Sequence, residues 1–246
     1  MFHFFVDPEQ IGEKTIRIEG DDVSHIRTVL RMQPGEQITV SSRADGTEYR
    51  CEITEVEKDC VVASIMWAEE ADTELPSRIC LFQGLPKSDK MEFVIQKAVE
   101  LGVAEIVPVA TKRAVVKLDA KKEEAKRKRW NAISESAAKQ SKRMLVPPVQ
   151  KVMNFAEAVE YAASYEKRFI PYELADGMEE TRRQFAALRP GESIAVFIGP
   201  EGGFDEQEIR LAAAQGIVPV TLGRRILRTE TAGMAVLAAL MLHLER

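Results

Sequence analysis

From Arg78 onward the sequence alternates short apolar runs with segments of helical periodicity, and nothing else in the chain constrains its fold as much. ICLFQG (79–84) leads to Val94, Ala98, Val99 and Leu101 at helical spacing from about Lys90, with Gly102 as the stop. EIVPVA then precedes a long polar helix over about 119–140, a strand near 148–152 and a helix around 155–165. The strand RFIPYE and a helix over 178–188 follow. SIAVFIG (193–199) is continuously apolar, as expected of a strand buried on both faces. A helix from Asp205, the strand VPVTLG and a last helix ending near Leu244 complete the series. Such alternation predicts an α/β fold, a parallel sheet with helices on both faces.

The first seventy residues have a different rhythm. FHFFV, TIRI, EQITVSS, YRCEI and CVVASIM alternate or are β-branched, with turn signals at Pro34-Gly35 and Asp45-Gly46. One helical pattern intervenes: Asp21 or Asp22 is placed to cap it, and Val23, Ile26, Val29 and Leu30 fall on one face. Several short strands around one helix predict a small β-barrel. The acidic, Pro-containing stretch 68–77 reads as a linker. The expected domains are therefore 1–70 and 78–246, joined by a linker at 71–77, and 246 residues suit two folds of that size.

Composition removes several classes. A chain with 45% hydrophobic and 30% charged residues is globular rather than disordered. Its longest apolar run, 232–242, is 11 residues, about half of the ~20 a bilayer span needs. The start MFHFFVDPEQ has no basic segment and soon meets Asp7 and Pro8, unlike a secretory signal. Cys51, Cys60 and Cys80 are odd in number and lack CxxC spacing, which points away from a disulfide framework and toward a reducing cytoplasm. His3, His25 and His243 have no metal-ligand spacing, and no Ser-His-Asp or Cys-His set can be assembled. No metal is expected, and hydrolytic or redox chemistry has little support.

The net charge of −5 argues mildly against a polyanionic partner. The sum hides a partition. Residues 1–70 carry 7 basic and 15 acidic side chains, whereas residues 81–150 carry 15 basic and 8 acidic. Lys112, Arg113, Lys117, Lys121, Lys122, Lys126, Arg127, Lys128 and Arg129 run up to Trp130, with Lys139, Lys142 and Arg143 beyond. One reading is a solvated helix face, softened by Glu123 and Glu124. The other is a phosphate-binding stripe, with Trp130 available to stack or simply to pack.

Two strand-end segments carry the chemistry. Ile198-Gly199-Pro200-Glu201-Gly202-Gly203-Phe204 follows the apolar strand and precedes Asp205 and Glu208, a capping-box spacing. Its glycines bring backbone groups within reach of a ligand, although a tight strand–helix turn would use them too. It is neither a Walker A loop nor GxGxxG, so nucleotide phosphate binding is poorly supported. The second segment, 222–232 (LGRRILRTETA), crowds Arg224, Arg225, Arg228 and Glu230 between two apolar elements, with Thr229 as a natural N-cap. Ligands of open α/β sheets bind at the carboxyl ends of strands. With Pro171, Tyr172 and Glu173 after RFI, three such loops would share one pocket.

These two motifs resemble the signature of the RsmE-type 16S rRNA (uracil-N3) methyltransferases, a branch of the SPOUT superfamily. Further similarities run through most of the chain: His25 with Val29-Leu30-Arg31, Lys90-Met91-Glu92, Glu100-Leu101-Gly102-Val103, Pro108-Val109 before Arg113, Arg129-Trp130, and Glu135 to Gln140-Ser141 with Arg143. The resemblance implies an N-terminal PUA-like barrel that helps bind rRNA. It also implies a C-terminal domain with a deep trefoil knot, a topology that pattern reasoning alone would reject. It further implies S-adenosylmethionine as cofactor, a homodimer, and 16S rRNA or the small ribosomal subunit as partner. Carried onto this chain, the cofactor loops are Pro171, Tyr172 and Glu173; Ile198, Gly199, Pro200, Glu201, Gly202 and Gly203; and Leu222, Gly223, Ile226 and Leu227.

Uridine N3 is a poor nucleophile until its imide proton leaves, so the protein must deprotonate, align and exclude water. Glu230 is the expected base, unless it only caps its helix or pairs with an arginine, and Arg228 is placed to stabilise charge on the uracil oxygens. The acidic Glu173 and Glu201 would favour the cationic cofactor over its neutral product. RNA contacts are expected from Arg17, Arg27 and Arg31 and from Arg113, Lys126, Arg127, Lys128, Arg129 and Arg143, with the basic third dominant over the acidic barrel. Two alternatives stay open: another SPOUT methyltransferase acting on ribose 2′-oxygen or tRNA, and a non-catalytic RNA-binding module.

Overall fold

The computed structural model describes residues 1–44, 47–69, 73–173, 175 and 177–245. The Asp45-Gly46 turn signal, and Ala71 and Asp72 of the expected linker, lie outside the described residues. Two compact units form, one of Met1–Glu74 with Ala138–Val146 and one of Leu75–Ala137 with Pro147–Arg246.

In the first unit, β1 (Phe2–Val6), β2 (Thr15–Glu19), β3 (Gln37–Ser42), β4 (Glu48–Val56) and β5 (Cys60–Glu69) form one sheet in the order β1-β3-β4-β5-β2. Only β1 and β3 pair in parallel. Strand alternation sets the faces: in β2, Ile16 and Ile18 are buried while Thr15, Arg17 and Glu19 are exposed. Phe4, Ile16, Ile38, Ile53 and Val61 belong to one core cluster, so both edge strands share a core with the centre of the sheet, as a barrel-like curl requires. β1 and β2 are nevertheless the edges of the hydrogen-bonded order.

The expected helix here is α1 (Asp21–Ser24), which continues as a π-helical stretch over His25–Leu30. Neither Asp21 nor Asp22 caps it, because Gly20 is the N-cap and both aspartates already lie in the first turn. Hydrogen bonds of the π type run from i to i+5 and widen the turn. Val23 and Ile26 stay in the core and Leu30 packs against it half-buried, but Val29 is carried out to 65% exposure. Arg31, in the left-handed conformation at φ 54°, ends the stretch.

The second unit carries β6 (Ile79–Gly84), α2 (Lys90–Glu100), β7 (Glu105–Ala110), α3 (Ala120–Ser141, whose residues from Ala138 on belong to the first unit), β8 (Met153–Asn154) and α4 (Phe155–Ala162). It continues through β9 (Lys167–Pro171), α5 (Met178–Ala186), β10 (Ile194–Ile198), α6 (Glu206–Ala214), β11 (Val218–Val220) and α7 (Thr229–Leu244). The sheet order is β11-β9-β10-β6-β7-β8, and every pairing is parallel. The strand expected near 148–152 is shorter and later: Val149 makes only an isolated bridge to Ile106, and regular pairing begins at Met153.

Helices cover both faces, as the alternation predicts. On one, Phe82, Val107, Ile170 and Phe197 pack under Phe155 and Ala158 of α4 and Ala212 of α6. Phe82 and Phe197 stack with centroids 4.4 Å apart. On the other, α7 packs against α2, α5 and β10. At the amino end of β7 the buried Glu105 carboxylate accepts hydrogen bonds from Tyr161, Tyr165, Gln150 and Arg78 at 2.6–2.9 Å. Burial pushes this carboxyl up, but the four donors outweigh it and hold it below the usual carboxylate range.

Candidate active site

The carboxyl ends of β9, β10 and β11 open on one cleft of about 610 Å³. Every residue assigned to the cofactor from the sequence lines it: Pro171, Tyr172, Glu173, Ile198, Gly199, Pro200, Glu201, Gly202, Gly203, Leu222, Gly223, Ile226 and Leu227. Arg113, Arg224, Arg225 and Thr229 complete much of the rim and wall. Three loops far apart in sequence are thus brought together, as a parallel sheet does with its strand ends.

Backbone geometry explains the glycines. A Cβ on Gly84 would stand 2.6 Å from Pro200 Cδ, and one on Gly199 would stand 3.1 Å from Gly203 Cα. Gly203 closes a turn by donating its N–H to the Pro200 carbonyl at 2.9 Å, with φ at 66°. Gly203 and Gly223 (φ 113°) have open space where a side chain would be, so both leave room for a ligand. The expected capping box is present: Asp205 accepts the Gln207 N–H at 3.0 Å, and Glu208 accepts the Asp205 N–H at 2.8 Å.

The start of α7 differs from expectation. Arg228, in extended conformation, is the N-cap position, and Thr229 is the first helical residue. The Thr229 hydroxyl is committed elsewhere: it donates to the Gly199 carbonyl at 2.6 Å and accepts from Gln83 Nε2 at 2.9 Å. It therefore ties two cleft loops together instead of capping its own helix.

Arg228 and Glu230 do not line the cleft. Glu230 faces Lys90, with Oε2 3.4 Å from Nζ, and the same ammonium lies 3.1 Å from Glu201 Oε1. One lysine thus bridges the two carboxylates singled out in the signature loops. Burial pushes the Glu201 carboxyl up, but its own backbone N–H, the Lys87 N–H and the Lys90 ammonium together hold it below its ordinary value. Glu201, in turn, is the main cause raising Lys90.

The residues assigned to RNA scatter. Arg127, Lys128 and Arg129 are exposed on α3, and Lys126 is half-buried. Arg129 and Lys126 share Glu92, at 2.7 and 3.9 Å. Trp130 is buried at 3% exposure, so it packs and offers no face for a base. Arg143 is also buried, in an ion pair with Glu74, and does not present its charge to solvent. Arg113 joins the cleft wall, donating to the Gly202 carbonyl at 3.2 Å. In the first unit Arg17 pairs with Glu19, Arg27 donates to the Lys58 carbonyl, and Arg31 occupies the left-handed end of its helix.

Sequence reasoning missed Gln83 and the bridging part of Lys90. Gln83 carried a signal, since an amide inside the apolar run ICLFQG needs a buried partner. Lys90 carried none, because a lysine at a helix start is commonplace. Among the described residues no His, Cys, Asp and Glu cluster is placed to hold a metal ion, and no helix is long and apolar enough to cross a membrane.

Residues 73–241 match the family described as RNA methyltransferase domain, and residues 18–66 match the RNA methyltransferase PUA domain. Ribosomal RNA small subunit methyltransferase E of Bacillus subtilis is 39% identical over 100% of this chain and 98% of its own. The protein of that name from Synechocystis is 32% identical over 99% of this chain and 78% of its own. The crystal structure of a ribosomal RNA small subunit methyltransferase E from Neisseria gonorrhoeae, bound to S-adenosyl methionine, is 35% identical with a TM-score of 0.86, covering 98% of this chain and 97% of that one.

Proposed function

The chain belongs to the RNA methyltransferase family that includes the ribosomal RNA small subunit methyltransferases E, and from that premise we propose that it moves a methyl group from S-adenosylmethionine to uridine N3 in 16S rRNA. The observation that carries this reading is the cleft at the ends of β9, β10 and β11, lined by glycine-rich loops, apolar side chains and a rim of arginines and glutamates.

The cleft suits that cofactor. Open space at Gly203 and Gly223 lets an adenine edge approach the backbone of these loops, while Ile198, Leu222 and Leu227 supply apolar surface for its faces. Glu173 and Glu201 give the cleft two carboxylates for a cationic ligand. S-adenosylmethionine, when bound, supplies a methyl group already activated by its sulfonium charge.

The protein's task is then to prepare the acceptor. Uridine N3 must lose its imide proton and be held in line with the methyl carbon. In this reading Glu230 takes that proton, Lys90 keeps Glu230 and Glu201 in register, and Arg228 stabilises the negative charge spread over the uracil O2 and O4 oxygens. Arg228 and Glu230 are not among the residues lining the cofactor cleft, and this reading gives both to the acceptor.

Residues 1–70 serve in this reading as a PUA-like RNA-binding barrel, 71–77 as a linker, and 78–246 as a knotted SPOUT catalytic domain. Arg17, Arg27 and Arg31 assist the dominant basic face of α3. The enzyme works as a cytoplasmic homodimer; the exposure of Leu242 on α7 and of Ile226 at the cleft supports a subunit contact there.

The test is transfer of labelled methyl from S-adenosylmethionine to small-subunit rRNA, with the product nucleotide mapped by mass spectrometry. N3-methyluridine is the expected product. A methyl on ribose or on tRNA, or no cofactor binding by calorimetry, would overturn the reading.

A further inference from the structure

A second cavity, of about 410 Å³, opens beyond the ends of β6 and β7. Its walls include Leu85, Val116, Leu118 and Val152, and it lies beneath the irregular segment 111–118. That size falls within the range of small-molecule pockets. Its walls are apolar enough to sandwich a flat ring.

Two polar groups give the cavity direction. Thr111 lines it and is only 7% exposed, and its buried hydroxyl has no hydrogen-bond partner among the described residues. A buried hydroxyl left unpaired is costly, so this one is poised for a ligand or a water. Glu123, in the first turn of α3, uses Oε1 to accept the Val152 N–H at 2.9 Å and keeps a second carboxylate oxygen for another donor. Lys117 is exposed at the rim.

The position of the cavity says what such a ligand belongs to. Lys112 lines this cavity and its neighbour Arg113 lines the cofactor cleft, so one turn of chain divides the two. The divider is held in place, with the Lys112 N–H donating to Glu208 Oε1 at 2.8 Å and the Arg113 guanidinium to the Gly202 carbonyl at 3.2 Å. A strand whose reacting base meets the cofactor therefore has another receptive site on the far side of this segment. We propose that this cavity receives a nucleobase flanking the methylated uridine, its faces against the apolar walls, its N–H edge toward Glu123 and Thr111, and its phosphate near Lys117. The inference rests on the rRNA methyltransferase reading.

The test measures binding of a 16S rRNA transcript and of S-adenosylmethionine separately in two cavity variants. Val116→Trp fills the space, and Thr111→Val removes only the hydroxyl, so the second remains informative if the first folds poorly. Val116→Trp, which excludes the base, should bind rRNA at least about 5-fold more weakly, and Thr111→Val, which loses one hydrogen bond, about 2- to 10-fold more weakly. They should bind S-adenosylmethionine as the unaltered protein does. Because seating a base releases no counterions, the dependence of log Kd on log salt should keep its slope in both, whereas Lys117→Ala should lower it. Unchanged rRNA affinity in both variants, while the unaltered protein binds and methylates the transcript, overturns the flanking-base site alone. If the unaltered protein binds S-adenosylmethionine but neither binds nor methylates 16S rRNA, free or in the small ribosomal subunit, the functional reading falls and takes this site with it.

Discussion

The Gln83 amide donates to the Thr229 hydroxyl at 2.9 Å, and that hydroxyl passes its own proton to the Gly199 carbonyl at 2.6 Å. The direction is fixed, because Gln83 Nε2 also reaches the Gly84 carbonyl at 3.0 Å and an amide nitrogen only donates. The carboxyl end of β6, the loop after β10 and the first turn of α7 are thereby tied through one oxygen atom. Both side chains are buried, so water does not readily replace either bond.

Replacing Thr229 by Val keeps the shape and removes the link. The Gly199 carbonyl and the Gln83 amide would lose a buried partner, at a cost of about 1–3 kcal/mol. The expected result is a lower denaturation midpoint together with weaker S-adenosylmethionine binding, since Gly199 lines the cleft. Thr229→Ser should recover most of both. Denaturant titration and calorimetry on the two variants check this; full cofactor affinity in Thr229→Val would show that the link does not shape the cleft.

Lys90 is expected to act through the carboxylates it bridges. In Lys90→Met, Glu201 and Glu230 lose their shared counter-ion, and the Glu201 carboxyl should rise toward or above its ordinary value. Methyl transfer at neutral pH should fall at least tenfold, and the acidic limb of the pH–rate profile should move to higher pH. Lys90→Arg, which keeps the charge, should hold the limb near its original place. An unmoved limb in Lys90→Met would show that the bridge is structural only.

The Glu105 network predicts instability at both ends of the pH scale. Glu105 is held below its unfolded value of 4.5, so its contribution is present above that pH and is lost as pH falls through the folded value. Burial first, and then Glu105, push Tyr161 from 10 up to about 12 and raise Tyr165 as well. The unfolded tyrosines ionise sooner, so stability is complete below pH 10 and is lost as pH rises toward about 12. Glu105→Gln should remove this carboxylate's share of the acid-side loss, because the amide does not titrate there. Stability curves of the two proteins from about pH 3 to about pH 11 decide the matter.

What the sequence could say followed from how local each signal was. The parallel sheet was legible because SIAVFIG and ICLFQG are continuous apolar runs, and the cleft because its glycines sit directly after strands. Asp205 and Glu208 form their capping box within four residues, and that spacing was readable. Thr229 misled for the opposite reason: its hydroxyl satisfies a carbonyl 30 positions away, where no local rule reaches. Val29 lost its place on the apolar face because helical periodicity assumes an α turn, and the backbone there is π. From charge and composition Arg143 looked like a nucleic-acid contact, and Trp130 was as ready to stack on a base as to pack. Burial, which composition does not report, reassigned both to packing and ion pairing.

That reassignment separates two kinds of basic residue in the middle of the chain. Arg127, Lys128 and Arg129 are exposed and Lys126 is half-buried, so a phosphate backbone can release counterions from this face of α3. Arg143 gives its charge to Glu74. Neutralising Lys126, Arg127, Lys128 and Arg129 together should therefore flatten the salt dependence of 16S rRNA binding, by about 0.7–0.9 in log–log slope for each phosphate that the protein no longer neutralises. Because Glu92 already holds Arg129 and Lys126, most of the change should come from Arg127 and Lys128. Changing Arg17 and Arg27 to Ala in the acidic first unit should alter the slope less. Arg143→Ala should lower the denaturation midpoint, since it leaves the Glu74 carboxylate with only the Met144 and Leu145 N–H donors and no counter-ion, and should leave the slope as it was. A slope that tracks Arg143 or the first-unit arginines instead would place the RNA-binding charge away from α3.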